Sequence, residues 1–404
     1  MNLPPIDRSS DPFIFTVCPE KTRGSTTYET AVYDQIYNRP LCIANRKRKF
    51  TDLTPKTSLY YTLLENQENN IYLNPLSASP FCERTTIGSS SGIILTYRMR
   101  NGTLAQETVS SLHPSCEDQI IGATKWSKID RDIFAGAKQL FFETAPPRTE
   151  LLVHDIDRVE TPIFQKTHPE YGISTLVKVI EWVERSTFWV GDDESELTLY
   201  DFRTEKEVRS LQFERGFRQP TSICAKENKL LVGFDSNQLL LKDRRKLTEN
   251  LSSFRFNAAV LSTVFLDKER IAAGAGSMDK TVKFFDLQQS SALNPYASVT
   301  TNGQVTSLAK IGRQLAVGLG FSGGDAFNFY MLPKNFDPPQ LVGRTEKISP
   351  SDRVIQLVQS HANKEAYAYM VGEKKSRVKK IKVVENSLLK GQKKKQRHSS
   401  NVIR

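Results

Sequence analysis

The sequence predicts an all-β protein assembled from repeated antiparallel sheets, and three observations carry that reading. The first is residues 271–287, IAAGAGSMDKTVKFFDL: a short apolar strand, a Gly-rich polar turn and a second strand ending in aromatic-Asp. The second is the return of that ending along the chain. The third is a charge distribution that leaves the body neutral and one terminus strongly basic.

In the template stretch, Ile271, Ala272 and Ala273 carry no charge that would hold them at the surface, so this strand is expected to be buried on both faces. Gly274, Gly276, Ser277 and Asp279 supply the permissive backbone and short polar acceptors of a tight turn, and Lys280 is its outward-facing residue. Thr281, Val282, Lys283, Phe284 and Phe285 are mostly β-branched or aromatic, the types that fit a pleated surface. Asp286 closes the strand.

The Phe285-Asp286 ending is matched by Tyr33-Asp34, Tyr97-Arg98, His154-Asp155, Tyr200-Asp201, Lys242-Asp243 and Tyr330-Met331. Their separations are 64, 57, 46, 42, 43 and 45 residues. The last four match a four-stranded repeat of about 40 to 45 residues. Read in order, hairpins fall at 13–34, 85–97, 133–155, 187–201, 229–243, 271–287 and 314–332. Three more strands are expected at 354–358, 366–371 and 378–384. Residues 38–57, with Arg46 to Lys49 between Pro40 and Pro55, read as an inserted exposed loop.

The hairpin with its aromatic-Asp ending resembles the WD-repeat signature, most specifically over 176–332. The resemblance implies a WD40-like β-propeller over residues 1–385, in which one terminus completes the sheet begun by the other and removes exposed edges. Seven blades fit the count best, with eight as the alternative. The family's Gly-His dipeptide, whose His bonds the turn Asp and the strand aromatic, is absent: none of the five His recurs at that place. Asp279 and Asp193 are expected to bond turn amides and hydroxyls instead, and Asp192 beside Asp193 reads as a solvated turn residue.

The net charge of +11 is local. From Lys374 to Arg404 there are 12 Lys or Arg and one acid, Glu385; taking these from 56 basic and 45 acidic residues leaves 44 of each. The chain therefore reads as a neutral scaffold with a basic arm, and residues 386–404 as a disordered tail. Five scattered cysteines with no CxxC pair argue against a disulfide framework or zinc site, and the first residues lack the pattern of a secretory leader. The expected setting is soluble and intracellular, with no membrane partner.

Two motifs fail on context. Gly88-Ser89-Ser90-Ser91-Gly92 matches a nucleophile elbow, and Gly318, Gly320 and Gly323 match a dinucleotide fingerprint, but each requires a following helix where this sequence continues as a strand. No carboxylate pair or Cys-His arrangement falls at catalytic or metal spacing, so the expectation is a non-catalytic protein without cofactor. Lys390, Lys393, Lys394, Lys395 and Arg397 suit nuclear import or contact with an RNA backbone; no aromatic interleaves them, so base stacking is not indicated. The resemblance extends to nuclear WD-repeat proteins of ribosome assembly, which often join a propeller to a Lys-rich C-terminus. It implies a monomeric scaffold binding protein partners within a complex of the nucleus or nucleolus. An alternative comes from Arg203 and Arg245, each two residues after an Asp. WD-repeat receptors of cullin-RING ubiquitin ligases often carry this Asp-x-Arg ending, with the Arg reaching the ligase adaptor.

Overall fold

The computed structural model describes the strands between residues 17 and 109 and, with short gaps, residues 118–383; side chains are described mainly between 120 and 345. Strands β1 (Val17–Glu20), β2 (Glu29–Asp34) and β3 (Arg39–Pro40) form a three-stranded antiparallel sheet. Strand β4 (Pro55–Tyr61) stands apart from them. Sheet A holds β5 (Pro75–Phe81), β6 (Arg84–Ser89), β7 (Ile94–Arg100) and β8 (Thr103–Val109). Sheet B holds β9 (Asp118–Trp126), β10 (Ile133–Phe141), β11 (Arg148–Asp155) and β12 (Phe164–His168). Sheet C holds β13 (Val177–Trp182), β14 (Thr187–Asp192), β15 (Glu196–Asp201) and β16 (Lys206–Gln212). Sheet D holds β17 (Pro220–Lys226), β18 (Lys229–Phe234), β19 (Gln238–Asp243) and β20 (Lys246–Arg255). Sheet E holds β21 (Val260–Phe265), β22 (Arg270–Ala275), β23 (Thr281–Asp286) and β24 (Pro295–Thr300). Sheet F holds β25 (Gln304–Ile311), β26 (Gln314–Gly320), β27 (Asp325–Met331) and β28 (Gln340–Glu346). Sheet G joins β29 (Arg353–Gln359), β30 (Glu365–Val371) and β31 (Ser376–Val383) to β4.

The first strands of sheets A to G pack against one another in order, and β29 returns to β5, so the sheets close on themselves. Closure joins the two ends of the chain: β31 runs antiparallel to β4, with Val378 opposite Tyr60 and Val383 opposite Pro55. The early hairpin β1–β2 exists but belongs to its own sheet, and Pro55–Tyr61 supplies the closing strand. Of residues 38–57, Arg39–Pro40 form β3 and the last three begin β4; the remainder lie outside the described residues, as does the tail 386–404.

The hydrophobic core sits between neighbouring sheets. Leu266, Ala272, Val282 and Phe284 of sheet E meet Val305, Leu308, Leu315 and Val317 of sheet F. Ile271, Ala272 and Ala273 are fully buried, as their composition requires. The glycines read as turn residues are a correction. Gly191, Gly233, Gly274 and Gly318 lie within β14, β18, β22 and β26, each at the fifth position of its strand. At Gly233 and Gly274 the next sheet sits where a Cβ would go: Val260 Cγ1 would stand 2.7 Å from a Cβ on Gly233, and Val305 Cβ 2.9 Å from one on Gly274. The turn's left-handed residue comes later and is never glycine in sheets C to E, where Ser195, Asn237 and Lys280 have φ of 66°, 71° and 50°.

A second repeat was invisible in the sequence. The pairing of each first strand with its neighbour skips one residue near its start: Leu76, Gly122, Lys178, Thr221, Leu261, Thr306 and Ile355. Such a bulge leaves the extra residue out of the ladder and sharpens local twist, and here the same device recurs around the whole ring.

Asp192 is also corrected. It is 1% exposed rather than solvated. Its Oδ1 accepts the Glu194 and Glu196 amides at 3.1 and 2.9 Å, and its Oδ2 lies 3.4 Å from His168 Nε2. The other His168 nitrogen shares a 2.7 Å hydrogen bond with the Tyr200 hydroxyl. A His-Asp-aromatic network is therefore built here from a His at the end of the preceding sheet, without the Gly-His dipeptide. Asp279 and Asp193 behave as expected, accepting the Asn257 and Leu176 amides at 3.0 and 2.8 Å, and Asp279 also takes the Thr281 hydroxyl.

Candidate interaction surface

In an antiparallel four-stranded sheet, the first and third turns lie at the same end. Arg203 and Arg245 stand in third turns, of sheets C and D. The preceding Asp organises the turn: Asp201 Oδ1 accepts the Arg203 amide at 3.0 Å and Asp243 Oδ1 the Arg245 amide at 2.9 Å. Sheet E builds the same turn with Asp286 and Gln288, at 2.9 Å, so the geometry depends on the Asp and does not require an Arg two places later. The two side chains then differ. Arg245 folds back on Asp243, with Nε 3.0 Å from Oδ1 and a terminal nitrogen 2.6 Å from Oδ2, and these hydrogen bonds hold the Asp243 carboxyl down to about 2. The Arg203 guanidinium is exposed and makes no hydrogen bond or ion pair among the described residues.

The residue beside Arg245 was missed by the sequence reading. Arg244 reaches Glu184 of sheet C at 3.2 Å and donates to the Glu227 carbonyl at 2.7 Å. It belongs to a series of ties along this end of the ring. Arg84 of sheet A pairs with Asp132 of sheet B at 2.6 Å, and Asp130 with Arg185 of sheet C at 3.9 Å. Glu227 of sheet D pairs with Lys268 of sheet E at 3.3 Å, and Arg270 of sheet E donates to the Pro333 carbonyl beyond β27 at 2.7 Å. Six consecutive sheets are thus linked, A to F, and their turns are presented as one platform.

The architecture matches solved structures. The "Crystal Structure of Mitotic Checkpoint Complex" contains a chain that aligns over 85% of this chain and all of its own, with a TM-score of 0.61 and 15% identity. The "Crystal Structure Of The C-Terminal WD40 Domain Of Sif2" aligns over 81% of this chain and 99% of its own, with a TM-score of 0.57 and 13% identity. The fold is that of a WD40 β-propeller. A third propeller match, "Structure of U3-55K", covers 78% of this chain and 97% of that one, with a TM-score of 0.60 and 11% identity. No family model matches the sequence, and no curated protein sequence does.

In the propeller, the elbow-like and dinucleotide-like motifs occupy strands. Gly88 and Ser89 end β6, and Gly318 and Gly320 lie in β26; the next elements are β7 and β27, with no helix for a nucleophile or a pyrophosphate. Among the described residues, no three His, Cys, Asp or Glu side chains come together to hold a metal, and no helix is long and apolar enough to cross a membrane. The described chemistry is the charged turn platform. Arg244→Ala removes both of that side chain's ties between sheets C and D; urea unfolding is expected to show a loss of about 1 kcal/mol, the scale of a partly exposed pair with one added hydrogen bond. An unchanged midpoint would show that the platform is held by packing alone.

Proposed function

We propose that this propeller is a non-catalytic interaction scaffold in a nuclear complex, with assembly of pre-ribosomal particles as its process. The observation that carries the scaffold reading is the turn platform. Inter-sheet ties fix the positions of exposed turn residues, so a partner meets a preorganised surface and loses little of its binding energy to ordering that surface. The nuclear reading rests on Lys390, Lys393, Lys394, Lys395 and Arg397, whose charge suits import factors or RNA phosphates. One neighbouring fold comes from a structure of a multiprotein checkpoint complex, which accords with a role among protein partners.

Affinity purification of full-length protein and of a truncation ending at Asn386, each with and without nuclease, tests this reading. Ribosome-assembly factors should be recovered with the full chain and lost on truncation or nuclease treatment. Recovery of no assembly factor by either form would sink it. The exposed, unpaired Arg203, at the same turn position as Arg245, favours a second reading, a cullin-RING substrate receptor. In that case both forms would retain a ligase adaptor, and Arg203→Ala with Arg245→Ala would release it while leaving the melting curve unchanged.

A further inference from the structure

The third turn of sheet F is unlike its counterparts. Sheet D crosses from its third to its fourth strand with Arg244 and Arg245 alone, whereas sheet F uses residues 332–339, including Pro333, Pro338 and Pro339. This longer arch is not loose. Arg270 of sheet E, its side chain only 14% exposed, donates to the Pro333 and Asn335 carbonyls at 2.7 and 3.1 Å while its Nε holds Asp267 at 2.7 Å. The arch presents Phe336, 42% exposed, edge-on to Tyr296 with ring centroids 5.2 Å apart and with the Arg270 guanidinium 6.0 Å from its ring. Burial pushes the Tyr296 hydroxyl's pKa up, and the neighbouring Arg270 charge opposes that rise.

Cations gather around this aromatic pair. Lys334 is exposed on the arch next to Phe336. Lys310, on β25, is half-buried and forms no ion pair with a carboxylate among the described residues; burial pushes its pKa down, Asp267 opposes this, and the charges of Lys226 and Arg270 push it down further. Arg270 has already committed its donors to Asp267 and the arch. What remains is a rigid, half-exposed aromatic beside lysines that an anion would stabilise.

We propose that the arch at 332–339, with Arg270, Lys310 and Lys334, is a docking site for an acidic protein segment that seats one apolar side chain on Phe336 and Tyr296. The patch has the composition of an interface hot spot, an aromatic anchor and an arginine held in place before binding. Charge complementarity selects the occupant, since the lysines call for carboxylates. A single exposed ring offers no platform for successive stacked bases, and Asp337 beside it would repel a phosphate backbone. The site rests on the scaffold reading and supplies it with a partner chemistry.

The test uses full-length protein and a fluorescein-labelled peptide of Asp and Glu with one central Phe, followed by anisotropy. Saturable binding is expected, weakened about tenfold by Phe336→Ala, which removes the anchor, and by a central Ala in the peptide. Lys334→Glu should weaken it and flatten its dependence on salt. Both altered side chains are exposed, and a thermal melt confirms the fold. No binding, or equal binding by wild type and Phe336→Ala, overturns the site. Tighter binding of a labelled uridine oligonucleotide through the same residues overturns it in favour of RNA. Affinity purification with Phe336→Ala separates the two readings: partners recovered unchanged remove the docking site and leave the scaffold standing, whereas a wild type that recovers none removes the scaffold.

Discussion

Gly274→Val is expected to destabilise the propeller by more than about 3 kcal/mol, and Gly274→Ala by about 2 kcal/mol, the range of overpacking in a filled core. The added atoms have nowhere to go. A Cβ on Gly274 runs into both Val305 Cγ1 and Val305 Cβ, and Val305 belongs to the first strand of the next sheet, fully buried. Relief would require one sheet to move against its neighbour, which the closed ring resists. Val305→Ala alone leaves a cavity and should cost about 2 kcal/mol. In the double variant Gly274→Ala with Val305→Ala, the new methyl occupies part of the space that Val305 vacates. Its loss should be smaller than the sum of the two single losses by about 1 kcal/mol or more, measured by urea unfolding. Gly324, with no atom within 4 Å of its would-be Cβ, is the control, and its replacement by Ala should be nearly silent. Additive losses, or equal effects at Gly274 and Gly324, would show that the sheets are not packed through these glycines.

The same glycines show where sequence reading succeeds and where it stops. Strand positions were legible because alternation and aromatic-Asp endings are local: β14, β15, β18, β19, β22 and β23 fall where the hairpins were expected. The role of Gly233 and Gly274 was not legible, since a glycine next to polar turn residues looks like part of the turn, and only the packed neighbour shows that it is a contact. The bulges left no trace at all. Leu76, Lys178 and Thr221 share a backbone position and no chemistry, because the ladder skips a residue whatever its side chain.

The candidate surface divides the same way. The Asp of Asp-x-Arg could be read as a turn former from its type alone, yet the fate of each Arg depended on its surroundings in the fold. Arg244 and Arg270 lacked any motif, and their partners lie on other sheets: Glu184 is 60 residues away from Arg244, and Pro333 63 from Arg270. Phe336 sat outside every strand pattern, so nothing in the repeat marked it as an anchored ring.

Asp192→Ala is expected to cost about 3 kcal/mol. Its Oδ1 satisfies two turn amides, each worth about 1 to 3 kcal/mol if left unpaired, and its Oδ2 faces a buried imidazole. Asp192→Asn keeps the acceptor for both amides and gives up the charge toward His168, so it should cost less than half as much. Tyr200→Phe removes only the hydroxyl that meets His168, for about 1 kcal/mol. Because Asp192 and Tyr200 act through the same imidazole, the double variant Asp192→Ala with Tyr200→Phe should fall short of additivity, as members of one network do. Unfolding by urea with these four variants decides the matter. Equal losses for Ala and Asn at 192 would mean that the turn amides find water instead, and strict additivity with Tyr200→Phe would mean that the His168 bridge carries no coupling between the end of sheet B and the turn of sheet C.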